Sequence, residues 1–332
     1  MPDERLIDSF GRLHNNVRIS VTDRCNIRCF YCMPEQDVVF LPRRDVLTFE
    51  ETERFVRVAA RLGINKVRIT GGEPLVRRGL PVLIEKLRRV PGIRDIGLTT
   101  NGILLAAQAQ ALYDAGLKRI NISLDTLNAD KFREITRRDG FEKVLEGIFE
   151  AKRVGFQPVK INAVAIRGVT EDEVVPLGQF AREHDVELRF IEFMPLDAEN
   201  NWQREKVLFA HEVLELLTSA FGPLVPAGDQ DPQAPASDFV FADGIGRVGI
   251  IASVSRPFCM RCNRLRLTAD GKLHNCLFSL EGTDVRGPLR HGGSDEEIAQ
   301  LIRESVGAKK EGHEINTARF IKPPRAMYAI GG

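Results

Sequence analysis

The chain has 332 residues, of which 43% are hydrophobic and 28% charged, and its formal net charge is +1. This is ordinary globular composition, which excludes collagen, a disordered tail and a coiled coil, and the balanced charge gives no overall positive field to attract nucleic acid or a membrane surface. No apolar run approaches the roughly 18 residues of a spanning helix, and the N-terminal MPDERLIDSF has no apolar signal core. We therefore expect a cytoplasmic protein. At about 150 residues per domain the length suggests two domains, although an α/β barrel can use roughly 200–250 residues as one domain.

Strand-like and helix-like segments alternate through the first two thirds of the chain. The predicted strands are residues 17–22, 66–70, 95–100, 119–124, 158–166 and 187–194. The amphipathic segments between them include 48–63, 80–90 and 141–155. Thr48 and Glu51 have the spacing of a helix capping box, and Gly63 and Gly155 are typical helix stops. Such alternation predicts an α/β fold with a parallel sheet, which is either open and doubly wound or a barrel.

Polar and apolar residues alternate along several predicted strands. The residues of the polar face are Arg18, Ser20, Thr22, Arg68, Thr70, Asn121, Ser123, Asp125, Lys160 and Asn162. The crossover helices need the apolar face, so the polar face must line something wet or liganded. This favours a curved or incomplete barrel over a flat sheet covered on both sides. An antiparallel sheet with one face in water also explains the alternation, but the helix-length connections argue against it.

The pattern changes beyond residue 220. Residues 226–237 are rich in Pro, Ala and Asp and are interpreted as an irregular loop. Short strands are predicted at 238–242 and 247–254, and a helix around 294–306. We expect a first domain over 1–225 and a C-terminal segment over 226–332.

A first group of cysteines, Cys25, Cys29 and Cys32, directly follows the first predicted strand. Active sites of barrels collect in such loops. Three thiolates at this spacing can hold an iron–sulfur cluster or a zinc ion. Structural zinc normally has four ligands, and no fourth Cys or His lies nearby, so a cluster with one open iron is favoured over zinc or three buried thiols.

A second group of cysteines consists of Cys259, Cys262 and Cys276. Its spacing leaves two interpretations open. One is a zinc site with His274 as the fourth ligand, and the other is a second iron–sulfur cluster with a free iron.

Arginines crowd around the second cysteine group, and Arg264 and Arg266 lie two apart in a strand-like segment. Guanidinium pairs suit phosphate because they donate bidentate hydrogen bonds. With Arg18, Arg68 and Lys160, five cations are predicted to face one cavity. We expect a substrate with several phosphates, and not a nucleic acid, because no aromatic residues are interleaved with these cations.

The motifs resemble those of a known family. CxxxCxxC with Tyr31 before its last cysteine resembles the signature of radical S-adenosylmethionine (SAM) enzymes, and TGGEP at 70–74 resembles their motif for the amino group of SAM's methionine moiety. Together with CMRCNRLRLTADG and the terminal Gly-Gly, the chain resembles the GTP 3′,8-cyclase family of molybdenum cofactor biosynthesis. The resemblance implies an incomplete (β/α)6 barrel whose open side is closed by a C-terminal extension. It implies a lyase that converts GTP to (8S)-3′,8-cyclo-7,8-dihydroguanosine 5′-triphosphate, with a 5′-deoxyadenosyl radical abstracting hydrogen from C3′ of the ribose.

The resemblance also implies roles for individual residues. Two 4Fe–4S clusters would be held, the first by Cys25, Cys29 and Cys32 and the second by Cys259, Cys262 and Cys276. The SAM contacts would be Tyr31, Gly72, Ser123 and Met194. The GTP contacts would be Arg18, Arg68, Thr99, Lys160, Arg264, Leu265 and Arg266. The tail, Gly331 and Gly332, would enter the active site, whereas a frayed terminus is the alternative.

The partners implied by the resemblance are GTP, a reductant as electron donor and the downstream cyclic pyranopterin monophosphate synthase, with a homodimer left open and neither nucleic acid nor membrane expected. Two other functions stay open on the sequence alone. One is another radical SAM enzyme with an auxiliary cluster, and the other is a zinc-binding, non-enzymatic module that docks RNA or a protein.

Overall fold

The strands of the chain form one twelve-stranded sheet in a computed structural model, which describes residues 5–331. The strands are β1 (Asn16–Ser20), β2 (Lys66–Thr70), β3 (Asp95–Thr100), β4 (Arg119–Ser123), β5 (Val159–Ala165), β6 (Glu187–Glu192), β7 (Leu224–Pro226), β8 (Ser237–Phe241), β9 (Arg247–Ile251), β10 (Arg264–Leu267), β11 (Lys272–His274) and β12 (Thr283–Asp284). The helices are α1 (Phe49–Arg61), α2 (Leu80–Arg88), α3 (Ala109–Asp114), α4 (Ala129–Thr136), α5 (Phe141–Val154), α6 (Val174–His184), α7 (Ala210–Phe221), α8 (Arg286–Arg290), α9 (Asp295–Gly307) and α10 (Met327–Ile330).

The sheet is parallel at its centre and antiparallel at its two flanks. Its strand order is β12-β11-β10-β1-β2-β3-β4-β5-β6-β9-β8-β7. Strands β1 to β6 pair in parallel, as do β1 with β10 and β6 with β9. The predicted parallel α/β fold is confirmed, and the antiparallel alternative is wrong for the centre of the sheet.

The C-terminal segment adds strands to both flanks of the same sheet. The predicted strands near 238 and 247 are β8 and β9, whereas β7, β11 and β12 were not predicted. The boundary near residue 225 stays a prediction, and the strands on its two sides are joined by main-chain hydrogen bonds.

Local signals in the sequence set the ends of the helices. Thr48 and Glu51 form the predicted capping box of α1, with Glu51 N donating to Thr48 Oγ1 over 3.1 Å and Thr48 N donating to Glu51 Oε2 over 2.7 Å. Gly155 ends α5 with a φ of 102°, a left-handed conformation that favours glycine.

The alternation along the strands separates an apolar face from a polar one. In register across β1 to β4, Ile19, Ile69, Leu98 and Ile120 lie side by side, and all are buried in the main core. The opposite face lines a cavity to which residues of both β9 and β10 contribute. Because these two strands lie on opposite flanks of the sheet, the sheet curves around the cavity, as the polar strand faces predicted. No helix within residues 5–331 has the length and apolar character needed to cross a membrane.

Candidate functional site

The cavity lies at the carboxyl ends of the parallel strands, where the loops of an α/β fold meet. Its lining includes many of the predicted site residues, namely Arg18, Cys25, Cys29, Tyr31, Cys32, Gly72, Thr99, Ser123, Met194, Arg264 and Arg266. The first cysteine group and three predicted phosphate-binding arginines therefore face a common space.

A tight turn presents the first cysteine group to the cavity. The Cys29 carbonyl accepts hydrogen bonds from Cys32 N (2.9 Å) and Met33 N (3.0 Å), and Arg28 Nη1 donates to the Cys25 carbonyl over 2.8 Å. Burial raises the pKa of Cys25 to about 11 and that of Cys32 to about 12. These side chains are free thiols, and binding of positively charged iron would release their protons.

The TGGEP segment packs directly against the chain that leads into Cys25. A Cβ on Gly71 would lie 2.6 Å from the Thr22 carbonyl oxygen, and one on Gly72 would collide with the backbone of Arg24. Neither glycine has the left-handed conformation that a turn would require. The two glycines are thus explained by close backbone approach, and not by a turn that needs glycine dihedrals.

Glu73 follows these glycines and is held rigidly. Its carboxylate accepts hydrogen bonds from Asn101 N (2.6 Å), Thr100 Oγ1 (2.7 Å) and Leu75 N (2.9 Å). Burial raises the pKa of Glu73 to about 7 in spite of these bonds. A buried carboxyl group with this pKa next to the first cysteine group is suited to receive a cation such as an ammonium group.

Tyr31 is fixed by a carboxyl group to which the sequence analysis gave no role. Tyr31 Oη donates to Asp125 Oδ2 over 2.6 Å, and Val164 N donates to Asp125 Oδ1 over 2.8 Å. Burial raises the pKa of Asp125 to about 6. The polar alternation of β4 placed Asp125 on the cavity side, but nothing in the sequence joined it to Tyr31.

Three arginines stand side by side on neighbouring strands. Arg266, Arg18 and Arg68 are in register across β10, β1 and β2. Burial, followed by the positive charges of Arg266, Arg264 and Arg68, holds the pKa of Arg18 well below its usual range. A row of crowded, buried cations is stabilised by an anion bound against it.

Arg68 and Lys160 lie outside the lining of the main cavity. Arg68 Nη1 donates to Asn121 Oδ1 over 2.9 Å, and Lys160 forms an ion pair with Glu187. Gly97 leaves room for the Arg68 guanidinium, since a Cβ there would lie 3.1 Å from its central carbon. The structure therefore brings three of the five predicted cations, Arg18, Arg264 and Arg266, to the cavity lining.

The structure places two further residues, Leu265 and Arg189, where the sequence pattern alone did not lead us to expect them. The Leu265 side chain is buried in the apolar core, so its contact with a ligand would come from its backbone. Arg189 on β6, which the sequence analysis did not single out, is also charged and largely enclosed, 3.7 Å from Asp238. Arg189 occupies a polar position in the alternating segment ELRFIE, and this pattern is the sequence signal that could have identified it.

The second cysteine group is surrounded by cationic donors. Cys262 Sγ lies 3.5 Å from Arg264 Nη2 and 3.4 Å from Lys309 Nζ. Burial would raise the pKa of Cys262, but Arg264 and Lys309 outweigh it and lower the pKa to about 6. Phe258 and Leu277, the neighbours of the other two cysteines, line the main cavity. The second group thus adjoins the space that the first group faces.

The arrangement of both cysteine groups differs from that of a single-ion site. Within residues 5–331, no three side chains of His, Cys, Asp and Glu are grouped so that they could hold one metal ion. Both ring nitrogens of the buried His274 lack a hydrogen-bond partner, and its Nε2 packs against Gly282. Thiolates are the protein ligands of iron–sulfur clusters, and each group supplies three cysteines with free thiols.

The C-terminal segment reaches the cavity. Met327 and Tyr328 line it, and the backbone of Tyr328 lies beside Cys32, where it acts to lower the cysteine's pKa against the larger effect of burial. Gly331 is buried beside Ser20 and Thr70. Gly332 lies outside the described residues.

Two family models together match most of the chain. The family model "Radical SAM superfamily" matches residues 19–181, and "Molybdenum Cofactor Synthesis C" matches residues 186–315. The chain is similar to a GTP 3′,8-cyclase of Rhodopirellula baltica, with 53% identity over 330 residues that cover 98% of this chain and 92% of that protein. It is 47% identical over 328 residues to a GTP 3′,8-cyclase of Streptomyces coelicolor, covering 98% and 96% of the two chains.

Among solved structures, the fold is similar to that of Streptococcus suis SuiB. The TM-score is 0.65 at 15% identity, over 96% of this chain and 77% of that one. SuiB bound to S-adenosylmethionine gives a TM-score of 0.58 at 15% identity, over 80% and 61% of the two chains.

Proposed function

The chain belongs to the GTP 3′,8-cyclase family of radical SAM enzymes, and from this premise we propose how its residues share the work of the reaction. The enzyme converts GTP to (8S)-3′,8-cyclo-7,8-dihydroguanosine 5′-triphosphate, the first step of molybdenum cofactor biosynthesis. Its cofactors are SAM and an iron–sulfur cluster.

Cys25, Cys29 and Cys32 hold the SAM-binding 4Fe–4S cluster in this proposal. Their thiols face the cavity, where Cys29 is buried and Cys25 and Cys32 are partly buried. Glu73 receives the methionine ammonium group, while Tyr31, Gly72, Ser123 and Met194 contact SAM. SAM and the reduced cluster, if bound by these residues, would supply the radical chemistry that takes hydrogen from C3′ of GTP.

Cys259, Cys262 and Cys276 hold a second 4Fe–4S cluster that receives the guanine of GTP. The observation that carries the assignment is the register of Arg266 and Arg18, which both line the cavity and can bind one anion together, with Arg68 next in the row and bonded to Asn121. Thr99, Lys160, Arg264 and the Leu265 backbone complete the set of GTP contacts.

The chain's main contribution to the rate is placement. The two ligands must lie in contact, and a reactive radical must be kept away from water and stray hydrogen donors. Met327 and Tyr328 cover part of the cavity, and the carbonyl oxygen of Gly331 accepts a hydrogen bond from Arg266 in the arginine row. We include in the proposal a cytoplasmic location, an external reductant and transfer of the product to cyclic pyranopterin monophosphate synthase.

Two triple variants test the proposed division of the cysteines. Replacing Cys25, Cys29 and Cys32 with Ala, or Cys259, Cys262 and Cys276 with Ala, should each halve the iron and sulfide bound per chain after anaerobic reconstitution. The first variant should lose SAM cleavage entirely and the second should keep SAM binding but lose GTP-dependent product. Full iron content in the second variant, or zinc in place of iron, would contradict the assignment.

A further inference from the structure

The segment ahead of β1 contains a buried charged group that the proposed reaction does not use. The Asp8 carboxylate is fully enclosed and accepts hydrogen bonds from Arg12 Nε (2.6 Å) and His14 Nε2 (2.9 Å). It also accepts from the backbone N–H groups of Phe10 (2.9 Å) and Arg12 (3.0 Å). The Arg12 side chain is thereby fixed in one orientation and its charge is matched.

The remaining donors of Arg12 reach two distant parts of the chain. Its Nη1 donates to the carbonyl oxygens of Cys259 (2.9 Å) and Glu311 (2.6 Å), and its Nη2 donates to the carbonyl oxygen of Lys310 (2.7 Å). One guanidinium therefore joins three backbone carbonyls from two loops. Only arginine has enough donors, held in one plane, to bond Asp8 and these carbonyls together.

Both loops belong to the surroundings of the second cysteine group. The first contains Cys259 itself, and the second begins at Lys309, whose Nζ lies 3.4 Å from Cys262 Sγ. A Cβ on Gly312 would lie 3.6 Å from Cys259 Sγ, so the second loop passes directly over that sulfur. The relative position of the two loops decides whether the sulfurs can bind one cluster.

We propose that Arg12, oriented by Asp8, is a positioning residue that holds the Cys259 loop against the 309–312 loop and so stabilises the second cluster. This inference rests on the proposed second cluster and assigns Arg12 no contact with GTP or SAM. Groups that orient metal ligands commonly change metal affinity by about 10- to 100-fold when they are removed. The effect should be confined to the second cluster, because Arg12 makes no contact with the first cysteine group.

The test uses chains that retain one cysteine group each. In the background with Cys25, Cys29 and Cys32 replaced by Ala, only the second cluster binds iron. In this background, a chelator should remove iron from the Arg12→Gln and Arg12→Lys variants about 10- to 100-fold faster than from their parent, as followed by the loss of cluster absorbance. Arg12→Lys keeps the charge beside Asp8 but cannot reach three carbonyls. The matched control is Arg256→Gln, an exposed arginine three residues before Cys259, which should leave the rate unchanged.

The complementary background separates a local effect from general unfolding. With Cys259, Cys262 and Cys276 replaced by Ala, Arg12→Gln should leave the first cluster's rate of loss unchanged. Equal rates in the Arg12 variants and their parent would overturn the proposal, as would equal weakening of both clusters. If the chain with Cys25, Cys29 and Cys32 replaced binds no iron, the second cluster does not form, and the proposed role of Arg12 is then overturned as well.

Discussion

Arg266 donates a hydrogen bond to the carbonyl oxygen of Gly331, so strand β10 holds the C-terminal segment inside the cavity region. Gly331 has a φ of 86°, and a Cβ at this position would collide with Ser20 Oγ at the end of β1. Both the backbone conformation and the available space therefore require glycine. The C-terminal segment is seated by the same arginine that is proposed to bind phosphate.

Gly331→Ala should displace the tail and lower turnover. Backbone strain of this kind costs about 1–3 kcal/mol, which corresponds to a loss on the order of tenfold in correctly seated enzyme. Product formation is measured under anaerobic conditions, with iron content expected to stay at the parent's value. Gly228→Ala is the matched control, because Gly228 has no strained φ and no atom lies near its added Cβ.

Ser20→Ala combined with Gly331→Ala sharpens the same test. Removal of Ser20 Oγ relieves the collision but leaves the backbone strain, so the double variant should regain part of the lost activity. Full activity in Gly331→Ala alone would show that the tail is not needed in this position.

Glu73→Gln should weaken SAM binding. An ionic hydrogen bond contributes about 1.5–3 kcal/mol, so the dissociation constant should rise by roughly 10- to 150-fold. The cluster should still assemble, because Glu73 is not one of the cysteines. Equilibrium binding of SAM to the reconstituted protein measures the change, and an unaltered dissociation constant would remove Glu73 from the site.

The pH dependence of SAM binding gives a second measurement on Glu73. The Glu73 carboxyl has a pKa of about 7, raised by burial, and an ammonium group beside it favours the ionised form. Binding should therefore release a proton near neutral pH, and affinity should fall as the pH decreases below 7. Asp125, with a pKa of about 6, also faces the cavity and can contribute to the pH dependence. The part of the pH dependence that disappears in Glu73→Gln is the part due to Glu73. A pH profile that is identical in the parent and the variant would contradict the assignment.

Arg18→Gln should weaken binding of GTP far more than binding of guanosine. Arg18 is the middle member of the arginine row, and its loss removes a charge-assisted contact to phosphate that is worth about 1.5–3 kcal/mol. GTP affinity should decrease by roughly 10- to 150-fold, with the same iron content and unchanged guanosine binding. The exposed Arg256→Gln serves as the control for loss of one positive charge. Equal losses for the two ligands would show that Arg18 does not bind phosphate.

The protein should lose stability as the pH falls from 6.5 toward 4. His14 is fully buried, and burial, Lys309 and Arg12 lower its pKa to about 4, whereas its bond to Asp8 acts in the opposite direction. In this interval the unfolded chain binds a proton that the folded chain excludes, so stability rises with pH. The shift corresponds to roughly 3 kcal/mol at most. His14→Gln keeps a donor to Asp8 and should flatten the pH dependence of the melting temperature. A profile as steep as the parent's would contradict this role.

The alternating strands were predictable because their pattern is local. The predicted strands 66–70 and 95–100 have the bounds of β2 and β3, and the polar strand faces predicted a curved sheet around a cavity. The cysteine spacing and TGGEP located the first cysteine group and its neighbour for the same reason. The short pair β11–β12 was missed because two or three residues carry no period.

The contacts that could not be predicted from the sequence join residues that are far apart along the chain. Arg12 contacts Cys259 and the segment after Lys309, which lie more than 240 residues away. Asp125 meets Tyr31 through a hydrogen bond between the loops that follow β4 and β1. Such contacts depend on how loops pack after the sheet has formed, and neither composition nor spacing encodes them. The position of Arg68 beside Asn121, and not at the cavity lining, has the same origin.

The most direct test of the whole account is the dependence of SAM cleavage on GTP. The protein is reconstituted anaerobically with iron and sulfide, reduced, and given SAM with or without GTP, and 5′-deoxyadenosine and cyclised nucleotide are quantified. We predict that GTP causes a burst of 5′-deoxyadenosine matched by cyclised product, and that the variant lacking Cys259, Cys262 and Cys276 shows no matched product. Cleavage that is indifferent to GTP, or no cleavage in protein with both clusters assembled, would contradict the account.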